Sequence, residues 1–126
     1  MKPPTRPVFL DLARLRLPLP GWVSILHRVS GVLLFLAVPL GVAALSVSLA
    51  SEAGFQAVSG WMTQAWAKLL LLAWVWAFLH HLLAGLRHLA MDAHCGAQLR
   101  QARTTGAVVL AGSAVATLAV AGWLFA

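Results

Sequence analysis

Three stretches of this chain, residues 29–51, 69–86 and 104–126, contain no Asp, Glu, Lys or Arg. A helix rises 1.5 Å per residue, so about 20 apolar residues cross the roughly 30 Å hydrocarbon layer of a bilayer. Each stretch is of that order, and in lipid a single segment satisfies its own backbone polar groups only as a helix. Three transmembrane helices are predicted, and little of the 126 residues is left for anything else. Composition agrees: 61% of residues are hydrophobic and 10% charged, against about 25% charged in an ordinary soluble domain. The expected fold is therefore all-α and integral to the membrane. A proline-punctuated arm at 1–20 precedes a three-helix anchor at 21–126, with spans at about 22–50, 61–88 and 104–126.

Charge placement predicts the orientation. Lys2, Arg6, Arg14, Arg16 and Arg28 precede the first uncharged stretch, and Arg87, Arg100 and Arg103 surround the connection after the second. The first connection, 52–67, has no Lys or Arg, and Lys68 opens the second span. Basic residues stay on the cytoplasmic side, so the N-terminus and second connection are expected there, with the C-terminus outside. The net charge of +6 is thus a topology signal. The basic residues flank spans and form no soluble module, which excludes a nucleic-acid role. The proline-rich start has no continuous apolar core of a cleavable signal peptide. The single Cys95 allows no internal disulfide and is expected on the reducing side. The connection "ASEAGFQAVSG" reads as an external loop with room for one short surface turn.

Ionisable chemistry gathers at the end of the second span, in "LHHLLAGLRHLAMD". On a helix, His81 and His88 are seven residues apart and project within about 20° of each other, with Gly85 one turn from His81 on the same stripe. The stripe offers an imidazole, a gap without a side chain, and a second imidazole roughly 10 Å nearer the cytoplasm. A flat macrocycle needs such a gap, and haem iron takes imidazole axial ligands. Arg87 and His88 stand where haem propionates could meet them. "SILHR" in the first helix supplies Ser24, His27 and Arg28 at the same end, with Ser24 and Arg28 on one face. An arginine fork and a serine hydroxyl suit a carboxylate or a quinone carbonyl. Singly, Arg28 and Arg87 read as interfacial anchors, and His80, about 100° from the stripe, as a packing residue. Asp92 reads as a helix cap or as a partner for Arg87 or Arg103. Convergence of these groups at one depth favours a haem or quinone site on the cytoplasmic side, and the third helix, without titratable groups, reads as scaffold.

Two motifs extend the reading. "RPVFLDLARLRLPLPGWVSILHRVSG" and "HLLAGLRHLAMD" resemble the cytochrome b membrane-anchor subunits of succinate dehydrogenase (complex II). Arg-Pro near the N-terminus, Ser-x-x-His-Arg-x-Ser at the first span and His-x-x-x-Gly-x-Arg-His ending the second occur in order, and the resemblance covers essentially the whole chain. One departure is His94, where a small residue is expected. The resemblance implies that His81 is the axial ligand of haem b, that His27, Arg28 and His88 hold the haem edge or propionates, and that Ser24, Arg28 and Ile25 line a ubiquinone pocket. It implies a four-subunit assembly in a bacterial inner membrane with a flavoprotein, an iron–sulfur protein and a second anchor. That second anchor would complete a heterodimeric helical bundle and supply the other haem ligand. Succinate would be oxidised on the flavoprotein and its electrons passed through iron–sulfur clusters to ubiquinone; this chain alone catalyses nothing. Two alternatives stand beside this: a haem-free anchor of the same family, and a stand-alone electron-transfer cytochrome b, which needs histidines at two depths.

Overall fold

The computed structural model describes residues 17–96 and 98–126. They form four helices: α1 (Leu19–Ala50), α2 (Glu52–Met62), α3 (Ala65–Asp92) and α4 (Leu99–Phe125). Among the described residues there is no strand. The Arg6-Pro7 motif and nearly all of the N-terminal arm lie outside the described residues. Helices α1, α3 and α4 are long and apolar enough to cross a membrane. The 32 residues of α1 extend about 48 Å, so its ends overhang the hydrocarbon layer into headgroup depth.

The boundaries differ from expectation in three places, each for a local reason. The first connection is an eleven-residue helix, α2, where a loop with one turn was expected. Ser51 is extended and its Oγ accepts the Gly54 N–H at 3.0 Å, while Glu52 stands in the first turn against the positive helix end. A side chain at Gly54 would run into the Val47 carbonyl, so this fold-back requires glycine. Thr63 and Gln64 then break the chain: Thr63 Oγ1 donates to the Gly60 carbonyl at 2.8 Å, and Gln64 is extended at ψ 140°. Trp61 consequently lies in α2, and α3 begins at Ala65. Helix α4 starts at Leu99, more than a turn before residue 104.

The long helices run antiparallel in sequence, with α3 packed against both α1 and α4. Val23, Ala84 and Val109, one from each, form the buried centre. Helices in lipid gain nothing from apolar burial alone, and small residues let their backbones approach. At Gly106 a Cβ would stand 2.7 Å from Leu19 Cδ2 and 3.5 Å from Val23 Cγ2, so glycine gives the Leu19 side chain its seat on α4.

Arg87 does not stand beside His88 at the position the sequence suggested for it. It turns into the α3–α4 interface, 8% exposed, with Nε donating to Thr105 Oγ1 and Nη2 to the Ala102 carbonyl, both at 3.0 Å. Arg87 is about 100° around the helix from His88, and the early start of α4 sets its partners opposite. Asp92 is exposed, with Arg87 taken up by α4 and not by it. At the other end of α3, Lys68 Nζ donates to the Leu124 carbonyl at 2.9 Å and lies 5.1 Å from the Phe125 ring centre, a cation where the α4 dipole is negative.

Helix α3 closes through the Cys95 N–H, which donates to the Ala90 carbonyl at 2.8 Å. This closure puts His94 at φ 61°, the left-handed conformation that glycine adopts without steric cost. The small residue expected at 94 thus has a backbone reason. Replacing His94→Gly is expected to stabilise the protein by about 1 kcal/mol. Arg87→Ala, which removes two charge-assisted bonds from a buried site, should cost about 2–3 kcal/mol. Both are measured as resistance of the purified protein to unfolding as denaturing detergent replaces mild detergent.

Candidate functional site

The start of α1, the end of α3 and the start of α4 lie at one end of the bundle, as the Leu19–Gly106 and Arg87–Ala102 contacts require. There α1 and α3 meet along residues 24–31 and 81–88. His81 Nδ1 lies 3.0 Å from the His27 carbonyl oxygen and 3.2 Å from Ser30 Oγ. Its ring stacks on that of His27, with centres 4.1 Å apart and planes 15° apart. His88 leans on the other side of His27, centres 5.1 Å apart and planes at 53°. Three imidazoles, two from α3 and one from α1, therefore follow one another from inside the bundle towards its end. All three are half-buried, in the groove where α1 meets α3.

Two glycines shape that groove. A Cβ at Gly31 would stand 3.1 Å from His81 Cε1, too close without a shift, so glycine lets the His81 ring lie against the α1 backbone. A Cβ at Gly85 would meet His27 Nε2 at 3.5 Å, an ordinary contact. The space beside Gly85 that the sequence assigned to a flat group thus borders the His27 ring.

The tautomer of His81 follows from its neighbours. A carbonyl oxygen only accepts, so the nitrogen facing it at 3.0 Å carries the proton, and Nε2 keeps its lone pair. No hydrogen bond among the described residues uses Nε2. An imidazole with Nδ1–H tied to a backbone carbonyl and Nε2 open is the arrangement in which histidine serves as a metal ligand.

His80, its neighbour in sequence, is placed quite differently. It is fully buried, with Nδ1 3.4 Å from Ser113 Oγ on α4, its ring stacked on Trp76 at 5.4 Å, and Nε2 enclosed without a partner. Nothing as large as a cofactor reaches it.

Of the α1 residues singled out from the sequence, Ser24 is half-buried and Arg28 and Ile25 are exposed. Ser24 and Arg28 share a face one turn apart, and no hydrogen bond within the described residues engages either side chain. The structure therefore brings His27, His81 and His88 into contact, sets Ser24 and Arg28 beside them on the same turns of α1, and sends Arg87 elsewhere. Ser30 and Gly31 had no assigned role in the sequence reading. Ser30, fully buried, repeats the serine of Ser24-x-x-His27-Arg28-x-Ser30, the one available signal.

Residues 2–120 match the family described as succinate dehydrogenase/fumarate reductase transmembrane subunit. The succinate dehydrogenase cytochrome b556 subunit of Paracoccus denitrificans is 37% identical over 111 residues, 87% of this chain and 85% of that protein. The subunit of the same name from Coxiella burnetii (strain RSA 493 / Nine Mile phase I) is 35% identical over 121 residues, 95% of this chain and 97% of that protein. Matched over residues 2–120, with three helices able to span a bilayer, the chain belongs to the succinate dehydrogenase/fumarate reductase transmembrane subunit family.

Proposed function

We propose that this chain is the haem- and quinone-binding anchor of a succinate:ubiquinone oxidoreductase, a role that needs a second anchor subunit, an iron–sulfur subunit and a flavoprotein. The observation that carries the reading is the open Nε2 of His81, left free because Nδ1 is tied to the His27 carbonyl at 3.0 Å. The residues present fit haem b: an imidazole of the right tautomer, a groove edged by Gly31 and Gly85, and His27 and His88 beside it. His81 would ligate the iron, and His27, Arg28 and His88 would hold the propionate edge. A haem held by these residues would supply a one-electron centre. A single ligand of this kind on one open groove calls for a second from the partner anchor.

Ser24 and Arg28 carry the quinone side. The Ser24 hydroxyl donates to one carbonyl oxygen of the ring, and the Arg28 guanidinium donates to the same region and offsets negative charge as electrons arrive from the iron–sulfur subunit. Ile25 packs against the ring. The protons that complete quinol come from the watery end of the bundle, the side carrying Arg28, Arg100 and Arg103 and therefore cytoplasmic by the distribution of basic residues. The C-terminus is then periplasmic and the membrane a bacterial inner membrane.

Two experiments test this. In the complex purified through this subunit, a reduced-minus-oxidised spectrum is expected to show a b-type band that His81→Ala abolishes or converts to high spin, while His80→Ala keeps it. A band indifferent to His81→Ala would remove the ligand from this position. Arg28→Leu is expected to lower kcat/KM for ubiquinone roughly 10–100-fold, the loss of one hydrogen bond to a charged group. Succinate oxidation by a water-soluble dye should continue unchanged.

A further inference from the structure

Ser30 does more than close a helical turn, and resting on the reading above, we infer that it is a positioning residue for His81, holding the tautomer and the plane of that ring. Its hydroxyl donates to the His27 carbonyl at 2.8 Å, three residues back along α1. A serine has one proton to give, and with that proton committed, what Oγ presents to His81 Nδ1 at 3.2 Å is a lone pair. Nδ1–H therefore lies between two acceptors, the carbonyl at 3.0 Å and the hydroxyl. A serine free to rotate could instead donate to an unprotonated Nδ1, which would put the proton on Nε2 and block it as a ligand. Ser30 is fully buried, so no bulk water competes for either bond. The neighbouring Gly31 lets Cε1 rest on the α1 backbone. The ring is gripped along the edge from Nδ1 to Cε1, and Nε2 is left without a hydrogen bond among the described residues.

An acceptor on Nδ1–H makes the imidazole a more basic ligand, and outer-shell partners of this kind are worth about 10–100-fold in metal affinity. A more basic ligand favours ferric over ferrous iron. Removing Ser30's share should shift that preference towards ferrous iron, and a tenfold shift in the ratio of the two affinities raises a one-electron potential by about 59 mV.

The test uses the intact complex with haem bound, read by redox titration of the haem band and by the ferric low-spin electron paramagnetic resonance signal, which reports ligand-plane orientation. Ser30→Ala is expected to raise the potential by that order and to move the largest g value. Ser30→Cys, similar in volume and a weaker acceptor, should shift both in the same direction by less. Ser30→Thr restores the hydroxyl and should bring them back. Ser48→Ala is the control, since Ser48 makes the same local bond, to the Leu45 carbonyl at 3.1 Å, far from the histidines; it should change neither. A potential that stays put or falls in both Ser30→Ala and Ser30→Cys overturns the inference while leaving His81 as ligand. A haem band that survives His81→Ala instead overturns the reading on which the inference rests.

Discussion

In lipid, apolar burial gives two helices no preference for one another, so the polar bonds between them decide which faces meet. In this protein those bonds converge on α3. Lys68 reaches the last turn of α4, His80 a serine midway along α4, Arg87 its first turns, and His81 the backbone of α1. The consecutive histidines matter most, because 100° of helix rotation separates them. One is held by α4 and the other by α1, and together they fix the rotation of α3 in its groove. With His80 turned to α4, His81 is left to α1, and its Nε2 has no hydrogen bond among the described residues.

The same logic explains why a protein with so few polar residues concentrates them at one end. A histidine deep in a span is costly unless its nitrogens find partners. His81 finds one on each side of its Nδ1, and both belong to one turn of α1. The bonds that join the helix pair are the same bonds that fix the tautomer of this imidazole. Gly31 and Gly106 act in the same way: one lets a ring lie on a backbone, the other seats the Leu19 side chain on α4.

Much of this was legible in the sequence. The uncharged stretches announce three spans through the thickness of a bilayer, and the seven-residue spacing of His81 and His88 puts them on one face whatever the tertiary structure. The Ser24–Arg28 pairing is equally local. What was not legible depended on contacts between helices. Arg87 looked like a companion of His88 because the two are adjacent and basic; its actual partners are a carbonyl and a threonine in a stretch of α4 that reads as loop from its polarity. The α2 helix was hidden by the same bias, since Gly54, Ser59 and Gly60 suggest a loop while the Ser51 cap and Glu52 mark a helix start. Ser30 was visible as part of a motif, but its role depends on the ring that α3 brings to it.

Fastening at both ends of α3 has a consequence for how such a protein is built. Lys68 and Arg87, near opposite ends of α3, both find their partners on α4. The hairpin made by these two helices thus satisfies both of these cations from within, without drawing on α1. What such a hairpin leaves for α1 to meet is the His81 imidazole, whose Nδ1 partners both lie on that helix.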